Sequence, residues 1–276
     1  MKHFILLSIF AALLCSCAPT TPPTELPTDA PAETAAVSPT PTAADFSQLS
    51  AKTVGWGFVR KKGSAPEVPA AQQQELAKYG GCYLGDTSKK EIYLTFDEGY
   101  ENGYTASILD VLKEKQVPAA FFVTGPYLEG QQELVRRMAD EGHVIGNHTI
   151  HHPNLGECSD DEIKDELDGL TEKCESLYGV KMEFVRPPEG AYSERSLAVT
   201  QSLGYKTVLW SHAYKDWDVN YQPGADNAFK QVEPYFHNGE ILLLHAVSKD
   251  NAEALGRIID AAREQGFEFK ALTELP

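Results

Sequence analysis

Positive charge is scarce in this chain. Its 276 residues hold 24 Lys and Arg against 40 Asp and Glu, a formal net charge of -16. Such a surface repels phosphate backbones and anionic headgroups. That excludes nucleic acid as a partner and an electrostatic grip on a membrane. Cysteine is sparse too, with five in all and no CxxC pair. Neither a disulfide-built scaffold nor a zinc finger fits that count. Cys15 and Cys17 lie near the start, leaving Cys82, Cys158 and Cys174, an odd set in which at least one thiol stays unpaired within one chain. No apolar run reaches the ~20 residues that a bilayer-crossing helix needs. No internal repeat is visible.

What is present begins with a secretion signal. Lys2 supplies a positive end, and residues 4–14 form an apolar run broken by one Ser. The run ends Leu14-Cys15-Ser16-Cys17. A Leu three residues before a Cys, with a small residue between, resembles the lipobox of bacterial lipoproteins. By that resemblance Cys17 carries the lipid, and the protein is held on the outer face of a bacterial membrane by this anchor only. Ordinary cleavage nearby would instead release it as a secreted protein. Residues 18–45 are mostly Pro, Thr and Ala and cannot bury enough surface to fold, so they read as a disordered tether. The rest suits one large domain: an N-terminal extension, 46–88, packed on a catalytic domain, 89–276.

In that domain short apolar runs alternate with helical patterns. Strands are expected at 92–96, 119–123, 143–146, 183–186, 206–210, 241–245 and 267–271. Between them lie helices, one near 104–115 and another with Leu255, Ile258, Ile259 and Ala262 on a face. The clearest starts at a capping box, Ser159-Asp160-Asp161-Glu162, and carries Ile163, Leu167, Leu170, Cys174 and Leu177 as a stripe. On that stripe Cys174 reads as a core residue. This rhythm implies an α/β fold, a distorted (β/α)7-8 barrel of parallel strands, with chemistry at its carboxyl rim.

Polar residues fall where the strands end. Asp97 and Glu98 close the first strand, and adjacent acids there need a cation, a basic side chain or a proton to relieve them. His148 and His152, four apart, follow the third strand. Two imidazoles and one carboxylate with an open position are a usual form of catalytic zinc site, and Asp97 or Glu98 would complete the set. The other carboxylate is then free to act as a base. Arg186, after Phe184-Val185, suits pairing with that base. His245 ends an apolar strand, and Asp216 beside Trp217 could hold it protonated as a general acid, with Trp217 an apolar wall for a sugar. Five such sets on one rim point to one shared site.

Thr95-Phe96-Asp97-Glu98-Gly99, His148-Thr149-x-x-His152, Arg186-x-Pro188-x-Gly190, Asp216-Trp217 and Leu243-x-His245, in this order, resemble the polysaccharide deacetylase family with its NodB-type domain. The match runs from about Lys89 to the C-terminus. The resemblance implies metal-dependent removal of acetyl from N-acetylated sugars by a hydrolase; a monomer is expected. It makes Asp97 the base, oriented by Arg186, and His245 the acid, tuned by Asp216. It puts one divalent ion on Glu98, His148 and His152, zinc by default with cobalt or manganese as alternatives. It gives oxyanion stabilisation to a backbone N–H near Glu189. The substrate groove falls to Trp217, Leu243, Pro188, Glu189 and Gly190. Two positions depart from the family pattern: Glu98 stands where a second Asp is usual, and Glu189 where an aromatic is usual.

A narrower resemblance covers roughly 54–275. Gly55-Trp56-Gly57-Phe58, the run from Thr95 to Tyr104, Arg186-Pro187-Pro188-Glu189-Gly190 and the run from His245 to Leu255 look like the delta-lactam-biosynthetic de-N-acetylases of spore cortex. The implied substrate is N-acetylmuramic acid in peptidoglycan strands lacking the stem peptide, en route to muramic δ-lactam in sporulation. Other expectations are deacetylation of N-acetylglucosamine, chitin-like or acetylated xylan chains, or wall binding without turnover.

Overall fold

The computed structural model describes residues 45–276. The signal, Cys17 and nearly all of the expected tether lie outside the described residues.

The N-terminal extension is built on the barrel. Its strand β1 (Val54–Gly55) precedes a small antiparallel hairpin, β2 (Val59–Lys61) and β3 (Ser64–Glu67), and a helix, α1 (Ala70–Lys78). Strand β4 (Glu91–Glu98) follows, and every residue after its first is buried. It continues into α2 (Thr105–Lys115), β5 (Ala119–Val123), α3 (Gly125–Gly130), α4 (Gln132–Asp140) and β6 (Val144–Asn147). Next come α5 (Asp160–Tyr178), β7 (Phe184–Val185), β8 (Ala191–Tyr192), α6 (Glu194–Ser202) and β9 (Lys206–Thr207). The chain ends through α7 (Ala225–Val232), β10 (Glu240–His245), α8 (Lys249–Glu264) and β11 (Glu268–Phe269).

Seven strands form one parallel sheet in the order β10-β4-β5-β6-β7-β9, with β11 beside the first residues of β4. The expected count of seven holds, and so does the curled parallel architecture. Three strands are shorter than expected. The segment foreseen at 206–210 keeps only Lys206–Thr207 as strand. Beyond it the chain meets its neighbours through single bridges, Cys82 with Val208 and His212 with Leu242. The last of these links back to β10, so the curl closes by isolated bridges instead of a full ladder. Strands 183–186 and 267–271 likewise contract to two residues each.

Side-chain alternation along a strand sorts the core into two layers. Ile92, Leu94 and Phe96 face the helices with Ile108, Leu112, Leu255 and Ile258. Tyr93, Phe122 and Ile241 fill the inside of the curl. The capping box at Ser159 and Glu162 starts α5, and Gly179 in left-handed conformation stops it. Ile163, Leu167, Leu170 and Cys174 on that helix are fully buried, each large apolar side chain contributing ~1.5–3 kcal/mol. Cys174 is thus a core residue, and Cys82, Cys158 and Cys174 are all free thiols.

Candidate active site

A cavity of about 860 Å³ opens at the carboxyl rim of the sheet. Asp97, His148, His152, Glu189, Trp217, Leu243 and His245 all line it, although they come from five stretches of chain.

Asp97 is the last inward-facing residue of β4 and is 7% exposed. Arg186 donates from Nη1 to its Oδ1 at 2.8 Å, and from the same nitrogen to Thr95 Oγ1 at 2.9 Å. The guanidinium is 0% exposed, lies 4.1 Å from the Phe122 ring centre and donates from Nε to the Val208 carbonyl. Gly146 makes this stacking feasible, since a Cβ there would sit 2.5 Å from the Phe122 ring. Burial drives the Asp97 carboxyl upward, but Arg186, His148 and His245 outweigh it and hold it below the usual carboxylate range.

His245 ends β10 at the register position paired with Asp97 on β4. Asp216 binds it twice, accepting from the His245 backbone N–H at 2.9 Å and contacting Nδ1 at 2.7 Å. Burial opposes the charged imidazole. The Asp216 charge and hydrogen bond, with the more distant Asp97, outweigh it and raise His245 above its ordinary range. Asn251 Nδ2 donates to Asp216 Oδ2 at 2.6 Å and Tyr214 in turn donates to Asn251. Asn251 lies within the run from His245 to Leu255 that carries the narrower resemblance, but no role attaches to it there; it stands in the first turn of α8, where the Ser248 side chain caps it.

His148 and His152 converge through a tight loop, not a helix, with ring centres 4.9 Å apart. His148 Nδ1 meets the Arg186 carbonyl at 2.7 Å, which turns Nε2 towards Asp97 Oδ2, 3.8 Å away. Burial pushes His148 down to about 4, so the ring is neutral near pH 7. Thr149 and His152 both have positive φ, 69° and 60°, and Glu189 has 58°. Among the described residues, three of the four non-glycine residues with positive φ therefore belong to the loops of the site, each at a cost of ~1–3 kcal/mol. Local bonds hold the histidine loop there: Thr149 N–H donates to Asn147 Oδ1, His152 N–H to Thr149 Oγ1, and Gly125 N–H to the Ile150 carbonyl.

Glu98 is not part of this gathering. Its side chain follows Phe96 to the helix side of β4, and it is absent from the cavity lining. It is 0% exposed, and neither carboxyl oxygen has a hydrogen-bond partner. Burial, with the charges of Glu101 and Asp97, pushes it well above the usual carboxylate range. Among the described residues no three His, Cys, Asp or Glu side chains stand close enough to hold a metal ion. The expected set of Glu98, His148 and His152 is therefore not assembled. The reason is strand alternation, which sends consecutive side chains to opposite faces. The donor pair that does fit a divalent cation is His148 and His152. One imidazole is held neutral, with its far nitrogen fixed by a carbonyl as in metal-bound histidines.

Of the expected groove residues, Glu189, Trp217 and Leu243 line the cavity. Pro188 and Gly190 are buried beneath and shape the turn on which Glu189 stands. Trp217, 51% exposed, packs edge-on to His245 at 5.5 Å. Phe58, Tyr100, His151, Tyr214 and Lys215 line the cavity as well; Phe58 and Tyr100 belong to runs that carry the narrower resemblance, while Tyr214 and Lys215 carried no sequence motif. His151 is pinned by Glu166, which meets its backbone N–H and its Nδ1.

The family model for polysaccharide deacetylase matches residues 84–208. The chain is 45% identical over 235 residues to the peptidoglycan-N-acetylmuramic acid deacetylase PdaA of Bacillus subtilis, covering 84% of this chain and 89% of the relative. It is 48% identical over 229 residues to an uncharacterized 30.6 kDa protein of Geobacillus stearothermophilus, covering 82% and 86%. The solved structure of Bacillus subtilis PdaA, a family 4 carbohydrate esterase, superposes with a TM-score of 0.80 at 44% identity, covering 82% of this chain and 98% of that one.

Proposed function

This chain belongs to the polysaccharide deacetylase family, and we propose that it removes acetyl from N-acetylated amino sugars of peptidoglycan. The preferred unit is N-acetylmuramic acid without its stem peptide. The observation that carries this reading is the pairing of two oppositely tuned groups, Asp97 held ionised by Arg186 and His245 held protonated by Asp216, at one register position of adjacent strands in one cavity.

The chemistry follows from those two groups. Asp97 takes a proton from water as the water oxygen attacks the acetamide carbonyl carbon. The backbone N–H near Glu189 stabilises the charge that develops on the carbonyl oxygen. His245 then gives its proton to the sugar nitrogen, the C–N bond breaks, and acetate and a free amine result. Trp217 and Leu243 present apolar surface to the ring. His148 and His152 would hold a divalent cation, zinc by ligand type, which supplies Lewis acidity beside the reacting amide. Where the freed amine neighbours a free lactyl carboxyl, closure to muramic δ-lactam follows, which ties the product to spore cortex. The lipid on Cys17 keeps the enzyme at the outer membrane face, next to its polymer.

Acetate release from peptide-free and peptide-bearing glycan, with chelator and with added zinc, tests this. Release from the peptide-free strand should dominate and depend on metal, and no release from either strand overturns the reading. Metal analysis of His148→Ala and His152→Ala should find occupancy strongly lowered in both. Unchanged content in both would remove them as ligands.

A further inference from the structure

The N-terminal extension reaches the active site at one point. β1 pairs antiparallel with β8, Val54 with Tyr192 and Gly55 with Ala191. The next residue, Trp56, donates its backbone N–H to the Gly190 carbonyl at 2.9 Å. Its indole Nε1 donates to the Trp210 carbonyl, also at 2.9 Å. The indole is 8% exposed and packs on Tyr83 with ring centres 5.0 Å apart. Trp56 thus bridges two loops of the rim, one ending in Gly190 and one containing Trp210.

What it clamps is a strained turn. Glu189 (φ 58°, ψ 6°) and Gly190 (φ 64°) are successive left-handed residues. Only a glycine fits at 190, because a Cβ there would lie 2.9 Å from Trp56 Cβ and 2.8 Å from the Trp210 ring. A left-handed glutamate has no intrinsic reason to stay in that conformation. Two residues after Trp56, Phe58 enters the lining of the cavity with Glu189 and Trp210. All of 54–58 lies outside the residues that the family model matches.

We propose that segment 54–58 is part of the catalytic centre. Trp56 is a positioning residue that holds the Glu189-Gly190 turn in its left-handed form, and Phe58 is a wall of the substrate cavity. The inference rests on the deacetylase reading in one respect, that this turn carries the amide facing the reacting carbonyl. Substitution at 56 leaves the backbone bond to Gly190 in place chemically but removes the indole anchor that aims it.

The test compares Trp56→Phe, Phe58→Ala and Val68→Ala in the purified full domain. Val68 belongs to the same apolar cluster as Trp56 but is not in the cavity lining. Trp56→Phe should lower kcat by roughly 10–100-fold with KM held, short of the ~10²–10³ for deleting an oxyanion donor outright. Hydrogen exchange across residues 187–192 should quicken by about tenfold as the turn opens locally. Phe58→Ala should raise KM and spare kcat. Val68→Ala should lower thermal stability and leave kcat and that exchange unchanged. Wild-type kcat and exchange in Trp56→Phe overturn the proposal, as does an equal loss of kcat in Val68→Ala. If the wild type itself releases no acetate, the deacetylase reading fails instead. Hydrogen exchange then decides the positioning role alone, unchanged protection overturning it.

Discussion

Asp97 and His245 face each other across one rung of the sheet, and their neighbours pull their protons in opposite directions. Each proton-transfer group contributes ~10²–10⁴-fold, so Asp97→Asn and His245→Ala should each lose kcat on that order with bound metal retained. Because the proposed roles serve one step, the double variant should lose less than the product of the two losses. Steady-state acetate release alongside metal analysis checks both statements. The pH profile is more specific. In the proposed reaction His245 acts in its protonated form, and its folded value lies above that of a free imidazole. Activity should therefore persist through the ordinary imidazole range and fall as pH rises through the raised value. Asp216→Asn removes the main pull on that proton, so the alkaline limb should move to lower pH. A limb that stays in place would remove Asp216 from this role. Arg186 is different, being fully buried and bonded to Asp97. Its loss strands a buried carboxylate, at ~3–5 kcal/mol, so it should damage folding as well as rate.

Strand β4 decides the fate of two adjacent acids. Alternation sends Asp97 into the cavity and Glu98 to the helix side, where its carboxyl has no hydrogen-bond partner. A carboxyl whose folded value is raised stays protonated in the fold at a pH where the unfolded chain has lost the proton. Its contribution is favourable below the unfolded value, and stability falls as pH rises from there towards the folded one. Glu98→Gln replaces the acid by a neutral side chain of like size. In metal-stripped protein it should raise Tm near pH 7 and do so far less near pH 4, which thermal melts at the two pH values will show. Metal binding should survive the change, since in the proposed site His148 and His152 hold the ion without Glu98. A metal-free Glu98→Gln protein would restore Glu98 as a ligand. The histidine loop is the companion case. Four-residue spacing made the pair visible, but their convergence depends on the left-handed backbone at Thr149 and His152, held by Asn147 and Gly125.

At the scale of the molecule, an acidic chain works next to a polymer it must reach without electrostatic help from the membrane. An anchor at Cys17, followed by a Pro/Thr/Ala-rich stretch, would supply that proximity. Cys17→Ser should shift the protein from the membrane fraction to the medium, as cell fractionation will show. Retention with a cleaved signal would place the anchor elsewhere. The cavity itself is a property of the whole chain. Phe58 comes from the extension, Tyr100 from the loop after β4, Lys215 and Trp217 from the stretch before α7, and His245 from the end of β10.

Local sequence was sufficient for whatever depends on a residue and its near neighbours. Apolar periodicity marked the alternating strands and helices, and the box at Ser159 marked the start of α5. Polar residues at strand ends named Asp97, His148, Arg186, Asp216 and His245 before any contact was known. Tertiary structure decided what depends on direction and on distant partners. Strands β7, β9 and β11 pair with their neighbours over only one or two residues, a register that no single segment reveals. Asn251 gained its place by folding back onto Asp216, thirty-five residues away in the chain. The resemblance made Glu98 a ligand, yet a strand separates neighbours by face, so the acid next to Asp97 ended in the core and not in the cavity.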